Sequence, residues 1–99
     1  MNKIVSYLGF ARKANKLLTG QTHLKHTKEH LYLILVCCSA TDNLKNLAKN
    51  LAERNKCDYI VTNIPLEKLT NIENVKIVAL TDENLSKAII NNKEIITVG

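Results

Sequence analysis

Residues that mark specialised folds are scarce in this 99-residue chain, which has no tryptophan, one phenylalanine, three tyrosines, one proline, three glycines and three cysteines. So few prolines and glycines leave no linker, repeat or low-complexity stretch, and we expect a single domain over residues 1–99. With four aromatic residues, the core must be built mainly from leucine, isoleucine, valine and alanine. Apolar residues make up 45% of the chain, which argues against intrinsic disorder.

Long apolar runs are also missing. The longest, from Leu31 to Cys38, falls far below the roughly 20 residues that span a bilayer, and the N-terminus lacks the basic and then apolar pattern of a signal peptide. These absences predict a cytoplasmic protein without a membrane partner. The odd number of cysteines, with Cys37 next to Cys38 and Cys57 distant, provides neither a disulfide framework nor a C-x-x-C pair, which favours reduced thiols.

The net charge of +5 is unevenly distributed along the sequence. Residues 1–28 contain six lysines and arginines and no acidic residue, whereas residues 29–99 contain eight basic and nine acidic residues. The whole surplus therefore lies in the first 28 residues, where a one-sided basic field attracts polyanions with salt-dependent affinity. Nucleic acid is the partner that this pattern favours. The alternative is a solvated basic surface without a partner, since net charge bears on association and not on fold.

The first third of the chain predicts a helix, a short strand and a second helix. Apolar residues recur at helical spacing over about residues 2–14. Residues 16–19 predict a short extended piece that ends at Gly20, because glycine adopts positive φ without steric cost. Residues 21 to about 30 are polar and basic, which is typical of a surface helix with one narrow buried edge.

The rest of the chain alternates strands and helices. A continuous apolar run at 31–37 is typical of a central strand covered on both faces. Further strands are predicted at 59–61, 75–80 and 94–98, and further helices at 41–55, at 66–69 after Pro65, and from a Thr81 cap to about residue 90. This alternation predicts an α/β protein, a three-layer α/β/α sandwich with a mixed four- to five-stranded sheet.

Patterns typical of catalysis are incomplete. His23, His26 and His30 have the spacing of one helical face, but two successive turns rarely focus three imidazoles on one Zn²⁺, so a polar or partly cationic surface is the preferred interpretation. Residues 16–20, KLLTG, lack the order of a phosphate loop. Cys37 ends a buried strand, where a thiol behaves as a small hydrophobe. We therefore expect no catalytic residue, no metal and no cofactor.

Gly20 begins the second predicted helix within the basic segment, with Lys16, Gln21, Thr22 and Lys25 around its first turns. A helix N-terminus presents unpaired backbone N–H groups and a partial positive charge, so it can hold a phosphate. This arrangement favours structured RNA over the DNA major groove, because the sequence has no helix-turn-helix or zinc finger. The near absence of aromatic residues available for exposure argues against a stacking platform for single strands.

The stretches YLGFARKANKLLTGQTHLK, LYLILVCCSATDNLKNLAKN and VKIVALTDENLSKAI follow one another along the chain. They resemble the small bacterial ribosomal proteins of the L-seven-Ae and L-thirty-e superfamily, of the YlxQ-like type. These proteins begin with a G-L-A-x-R-A-G-K-L-x-x-G pattern and end with V-x-x-x-T-x-x-E-L-G-x-A-x-G. The resemblance covers most of the chain, and its first block is the specific part. It implies an α/β/α sandwich that binds kink-turn or similar structured RNA, such as ribosomal RNA, as a non-catalytic monomer.

Carried over onto this sequence, the resemblance implies RNA contacts from two parts of the chain. Gly20 matches the glycine that opens the RNA-contacting turn, and Lys25 matches the lysine on the helix that follows. Leu80 and Thr81 fall near a loop that contributes contacts before the last helix. The implied RNA-binding residues are Lys16, Gly20, Gln21, Thr22, Lys25, Lys28, Leu80 and Thr81.

Two departures from the family pattern bear on specificity. Asn15 stands where the pattern has glycine, and Gln21 and Thr22 stand where the strongest RNA binders have an Asn/Glu pair. Losing a carboxylate that accepts from a guanine edge changes specificity more than phosphate binding. The alternative hypothesis is therefore a protein-interaction or regulatory domain on the same fold that has lost specific RNA recognition.

Overall fold

Five helices and four strands alternate along residues 3–92, the part of the chain that the computed structural model describes. The helices are α1 (Lys3–Lys13), α2 (Gln21–His26), α3 (Asp42–Asn55), α4 (Leu66–Thr70) and α5 (Glu83–Asn91). The strands are β1 (Leu17–Thr19), β2 (Leu33–Cys37), β3 (Asp58–Thr62) and β4 (Ile77–Leu80). The strand predicted at 94–98 lies outside the described residues.

The four strands form one mixed sheet in the order β1-β4-β2-β3. β2 and β3 are parallel, and β4 runs antiparallel to both of its neighbours, β1 and β2. All residues of β2 and β4 are buried, whereas β1 and β3 form the two edges. The prediction of a central strand at the 31–37 run is therefore confirmed.

Helices cover both faces of the sheet. α2 contacts α3, and α1 contacts α4 and α5, so the helices fall into two groups. Because every side chain of β2 is buried whichever face it points to, each group must cover one face. The predicted α/β sandwich is confirmed, with a core that contains leucine, isoleucine, valine and alanine but no phenylalanine or tyrosine among its buried residues.

Helix ends follow the capping signals in the sequence with two exceptions. Thr41 caps α3, with its hydroxyl accepting the Leu44 N–H at 3.2 Å, as predicted. The last helix is capped one residue later than predicted, because the Asp82 carboxylate rather than the Thr81 hydroxyl accepts the Leu85 N–H, at 2.8 Å. A carboxylate is the stronger acceptor and also suits the positive end of the helix.

The second helix is shorter than predicted, because α2 ends at His26 instead of continuing to about residue 30. Thr27 is extended, and its hydroxyl accepts the N–H of Glu29 at 3.2 Å. This local hydrogen bond offers the backbone an alternative to the helix. Lys28 therefore lies on an irregular loop. The longest helix, α3, has 14 residues, and no helix within residues 3–92 combines the length and apolar character needed to cross a membrane.

Asn55 joins the end of α3 to the entry of β2, and its removal should destabilise the fold. Its side-chain oxygen accepts the N–H of the buried Leu31 at 3.1 Å, and its amide donates to the Leu51 carbonyl at 2.8 Å. We expect Asn55→Ala to lower the free energy of unfolding, measured by urea denaturation, by about 1–3 kcal/mol, because it leaves the Leu31 N–H unpaired. The control Asn50→Ala, at an exposed position of the same helix, should change it by less than about 0.5 kcal/mol. Equal losses in the two variants would contradict this role.

Candidate nucleic-acid interface

The six basic residues of the N-terminal segment are all exposed to solvent. The ion pairs within residues 3–92 are Lys76–Glu67 and Lys87–Glu83, so none of the six is paired with a described acidic residue. Their charge is therefore available to an external anion. The basic surface is formed by the exposed side chains of Lys3, Arg12, Lys13, Lys16, Lys25 and Lys28.

The register of β1 against β4 places the predicted RNA-binding residues near the two ends of β1. Leu17 pairs with Leu80 and Thr19 with Val78 in the antiparallel ladder. The chain therefore enters β1 beside the end of β4 and leaves it beside the start of β4. Gly20 follows Lys16 by four positions in extended chain, so the two residues are about 13 Å apart.

One end brings Lys16 and Thr81 together although they are 65 residues apart in sequence. The Thr81 N–H donates to the Lys16 carbonyl at 2.9 Å, and its hydroxyl lies 3.4 Å from the same oxygen. Leu80 differs from the prediction, because its side chain is fully buried and its carbonyl accepts the Tyr32 N–H at 2.8 Å. It is a core residue and has no surface with which to contact RNA.

The other end is formed around Gly20. Its φ of 85° lies where glycine is favoured, and its N–H donates to the Ile77 carbonyl at 3.2 Å. Gln21 and Thr22 follow and are exposed. The predicted phosphate site at the start of a helix is weakened, because six residues make fewer than two turns and sum few peptide dipoles. Exposed side chains, rather than the helix terminus, must supply the contacts.

A cavity of about 340 Å³ adjoins Gly20 and Gln21 and is also lined by Asn74 and Lys76. The Lys76 ammonium lies 3.1 Å from the Ser39 hydroxyl and 3.8 Å from the Glu67 carboxylate. Lys76 was not among the predicted site residues. The sequence does mark Lys76 as unusual, because it is the one charged residue in the apolar run at 75–80.

Lys25 and the histidines occupy the short second helix and the loop after it. Lys25, His23 and His26 are exposed on α2, whereas His30 lies beyond the helix and contacts Tyr32, with ring centroids 4.6 Å apart and planes at 71°. The three histidines therefore do not share one helical face. The predicted helical alignment fails because α2 ends at His26 and Thr27 is extended.

Exposed aromatic side chains are more prominent than the composition suggested. Phe10, the only phenylalanine, is 63% exposed on α1, and Tyr59 is 40% exposed on β3. Phe10 lies on the same helix as the exposed Arg12 and Lys13, three residues before Lys13. Phe10 therefore offers an exposed ring on which a base can stack, although the scarcity of aromatic residues predicted none.

The three cysteines have different surroundings. Burial raises the pKa of the Cys37 thiol, but its hydrogen bonds with Ser39 and the nearby Lys76 charge outweigh burial, and the pKa falls below its ordinary value. Burial and the Asp58 charge raise the pKa of Cys57 to about 11. Cys38 is exposed, whereas Cys37 is fully buried in the core, as predicted.

Comparison with known proteins supports the fold. No family model matches the chain, and no curated protein matches it. Among solved structures, the chain is similar to "a protein with unknown function from Bacillus halodurans C", with a TM-score of 0.76 and 18% sequence identity. The similarity covers 92% of this chain and 96% of that one. At this identity it shows a shared fold over nearly the whole length.

Access to solvent should control the reactivity of the thiols. With a maleimide at neutral pH, followed by peptide mass mapping, we expect rapid modification of Cys38 and slow modification of Cys37 and Cys57, because only Cys38 is exposed. Modification of Cys57 should accelerate as the pH approaches 11, where its thiolate forms. Unfolding in urea should equalise the three rates. Rapid modification of Cys37 in the folded protein would show that its lowered pKa, and not its burial, determines its reactivity.

Proposed function

We propose that this chain is a non-catalytic, cytoplasmic RNA-binding protein that recognises structured RNA of the kink-turn type, as the resemblance to the L-seven-Ae and L-thirty-e superfamily implies. The observation that carries the proposal is the basic surface, whose six cations are exposed and unpaired with any described acidic residue. A polyanion that approaches this surface displaces counterions and need not break ion pairs within the protein.

The spacing of the contacts favours a polymer over a small anion. Lys16 and Thr81 lie at one end of β1, and Gly20, Gln21 and Thr22 lie at the other end, about 13 Å away. A ligand that contacts both ends must extend along the β1 edge of the sheet. The backbone of a folded RNA has the required length and repeats its negative charge at each nucleotide.

Gly20 leaves open space at its own end of β1. A Cβ placed on Gly20 would meet no atom within 4 Å, so the surface beside the turn is open. The amide of Gln21 and the hydroxyl of Thr22 offer both donors and acceptors to base edges, whereas the lysines offer donors to phosphates. Lysine contacts position an RNA, and Gln21 and Thr22 are the residues placed to select it.

Replacing one lysine of the basic surface should weaken binding and its dependence on salt. We expect Lys25→Ala to lower the affinity for a kink-turn hairpin and to reduce the slope of log affinity against log salt by about one unit, because one phosphate contact is lost. The measurement is fluorescence anisotropy over a salt series. Lys87→Ala is the matched control, because it removes the same charge from α5, where Lys87 is already paired with Glu83 at 3.1 Å.

The specificity of the proposed site has its own test. A straight duplex of the same length and composition should bind more weakly than the kink-turn hairpin at equal salt concentration. Equal affinities for the two RNAs would mean that the protein attracts phosphates without recognising the RNA fold, and the kink-turn assignment would be wrong. If Lys25→Ala and Lys87→Ala had the same effect, the contact would not lie at the basic surface.

The exposed edge of β3 favours a second candidate function, the protein-interaction domain. Tyr59 and Val61 are 40% and 38% exposed, and β3 has no strand on its outer side within residues 3–92. Asp58–Thr62 contains neither lysine nor proline, the residues that commonly protect an edge from pairing. An extended segment of a partner protein would fit here as an added strand.

A charge on this edge should separate the two candidate functions. We expect Val61→Lys to abolish the binding of any protein partner that remains bound to the wild type after nuclease treatment, because the lysine would oppose an added strand. It should leave hairpin affinity unchanged, since Val61 lies on the sheet edge opposite β1. Asn63→Lys, an exposed position just beyond β3, is the matched control. A nuclease-resistant partner that binds both variants equally would contradict docking on β3.

A further inference from the structure

The packing of α1 against α4 leaves a groove on the surface of the sandwich, with a cavity volume of about 490 Å³. This volume is within the range of small-ligand sites. Val5 and Leu69 line its deeper part, since Leu69 is 2% exposed and Val5 is half-buried. The groove belongs neither to the Gly20 turn nor to the cavity beside it.

Gly9 keeps the groove open on the α1 side. It occupies a helical position, and a Cβ built there would meet no atom within 4 Å. A larger side chain at this position would therefore extend into the groove without displacing the backbone. The apolar lining and the absence of a side chain at Gly9 suit a flat, mainly apolar group.

The charges around the groove are all of one sign. Arg12 and Lys13 line it and are exposed, and no acidic residue is among its lining residues. Neither cation forms an ion pair within residues 3–92. Asn71 at the α4 side is exposed, and its amide can both donate and accept a hydrogen bond. An apolar slot with cations at its mouth is complementary to a nucleobase attached to a phosphate.

Phe10 adds an aromatic surface next to the groove. It is 63% exposed and directly follows Gly9. Lys13 lines the groove and follows Phe10 by three residues, so the two side chains are neighbours on the surface of α1. A neighbouring base can stack on Phe10 while a phosphate contacts Lys13.

We propose that the α1–α4 groove binds an unpaired nucleotide of the RNA, with the base against Val5, Gly9 and Leu69 and the phosphate at Arg12 and Lys13. This proposal rests on the proposed function, because the nucleotide belongs to the RNA held along β1. The chain joins the two contact regions directly, since Lys16 follows the end of α1 and its N–H donates to the Ala11 carbonyl at 2.7 Å.

The first experiment tests the groove without a folded RNA. Adenosine monophosphate is titrated into the ¹⁵N-labelled full-length protein, with inorganic phosphate titrated separately. We expect the nucleotide, and not phosphate at the same concentration, to shift the amide signals of Gly9, Arg12 and Asn71. Equal shifts with phosphate alone would mean a general anion surface and would overturn the proposal, as would no shift at these amides.

The second experiment blocks the groove. Gly9→Leu should remove the nucleotide-dependent shifts and lower the affinity for a hairpin with an unpaired nucleotide by about tenfold, the effect of losing one stacked base. Gly9→Ala is the control, because its single methyl group leaves most of the volume free and should retain binding. The double variant Arg12→Gln/Lys13→Gln tests the same site if Gly9→Leu fails to fold, and it should remove the shifts that adenosine monophosphate causes at the amides of Gly9 and Asn71. Unchanged shifts in this variant would overturn the proposal.

The outcomes separate this proposal from the proposed function. If the hairpin binds wild type and Gly9→Leu equally while Lys25→Ala weakens binding, RNA binding stands and the groove proposal fails. If adenosine monophosphate binds in the groove but the hairpin does not bind the protein, the groove is a nucleotide site and the proposed function fails.

Discussion

β2 has no residue that faces solvent, and this constraint determines the arrangement of the rest of the molecule. All five of its side chains, from Leu33 to Cys37, are buried, although alternate side chains of a strand point to opposite faces. The sheet must therefore be covered on both sides, and two groups of helices do so. Asn55 then fixes the start of β2 to the end of α3 through the Leu31 N–H. With β2 and β4 filling the centre, β1 and β3 are left as the two edges of the sheet.

The two edges have different chemistry because different parts of the sequence form them. The β1 edge is continuous with the end of α1 and the start of α2, so it carries the basic surface. The β3 edge follows α3 and carries Tyr59 and Val61 on its exposed side. A polyanion and an extended peptide would therefore bind opposite edges of one sheet. RNA recognition and protein recognition are compatible on this fold and need not compete for one surface.

The fold was predictable to the extent that its signals are local. The 31–37 run and the cap at Thr41 predicted β2 and α3 correctly, because burial and capping depend on neighbouring residues. The sequence did not predict where α2 ends, because the end depends on one hydrogen bond between Thr27 and Glu29. The site was harder to predict, since its geometry depends on strand register. Pairing β1 with β4 brings Thr81 to Lys16, a contact between distant parts of the sequence that no local pattern predicts. The burial of Leu80 has a local signal, since it ends the apolar run at 75–80.

Asn15 forms the turn between α1 and β1. Its φ is 59°, in the left-handed region, and asparagine is among the residues that tolerate this conformation best. The turn lets the Lys16 N–H donate to the Ala11 carbonyl and directs the chain from α1 into β1. Six like charges before residue 29 repel one another, and the described acidic residues do not neutralise them by pairing. A bound polyanion would relieve this repulsion.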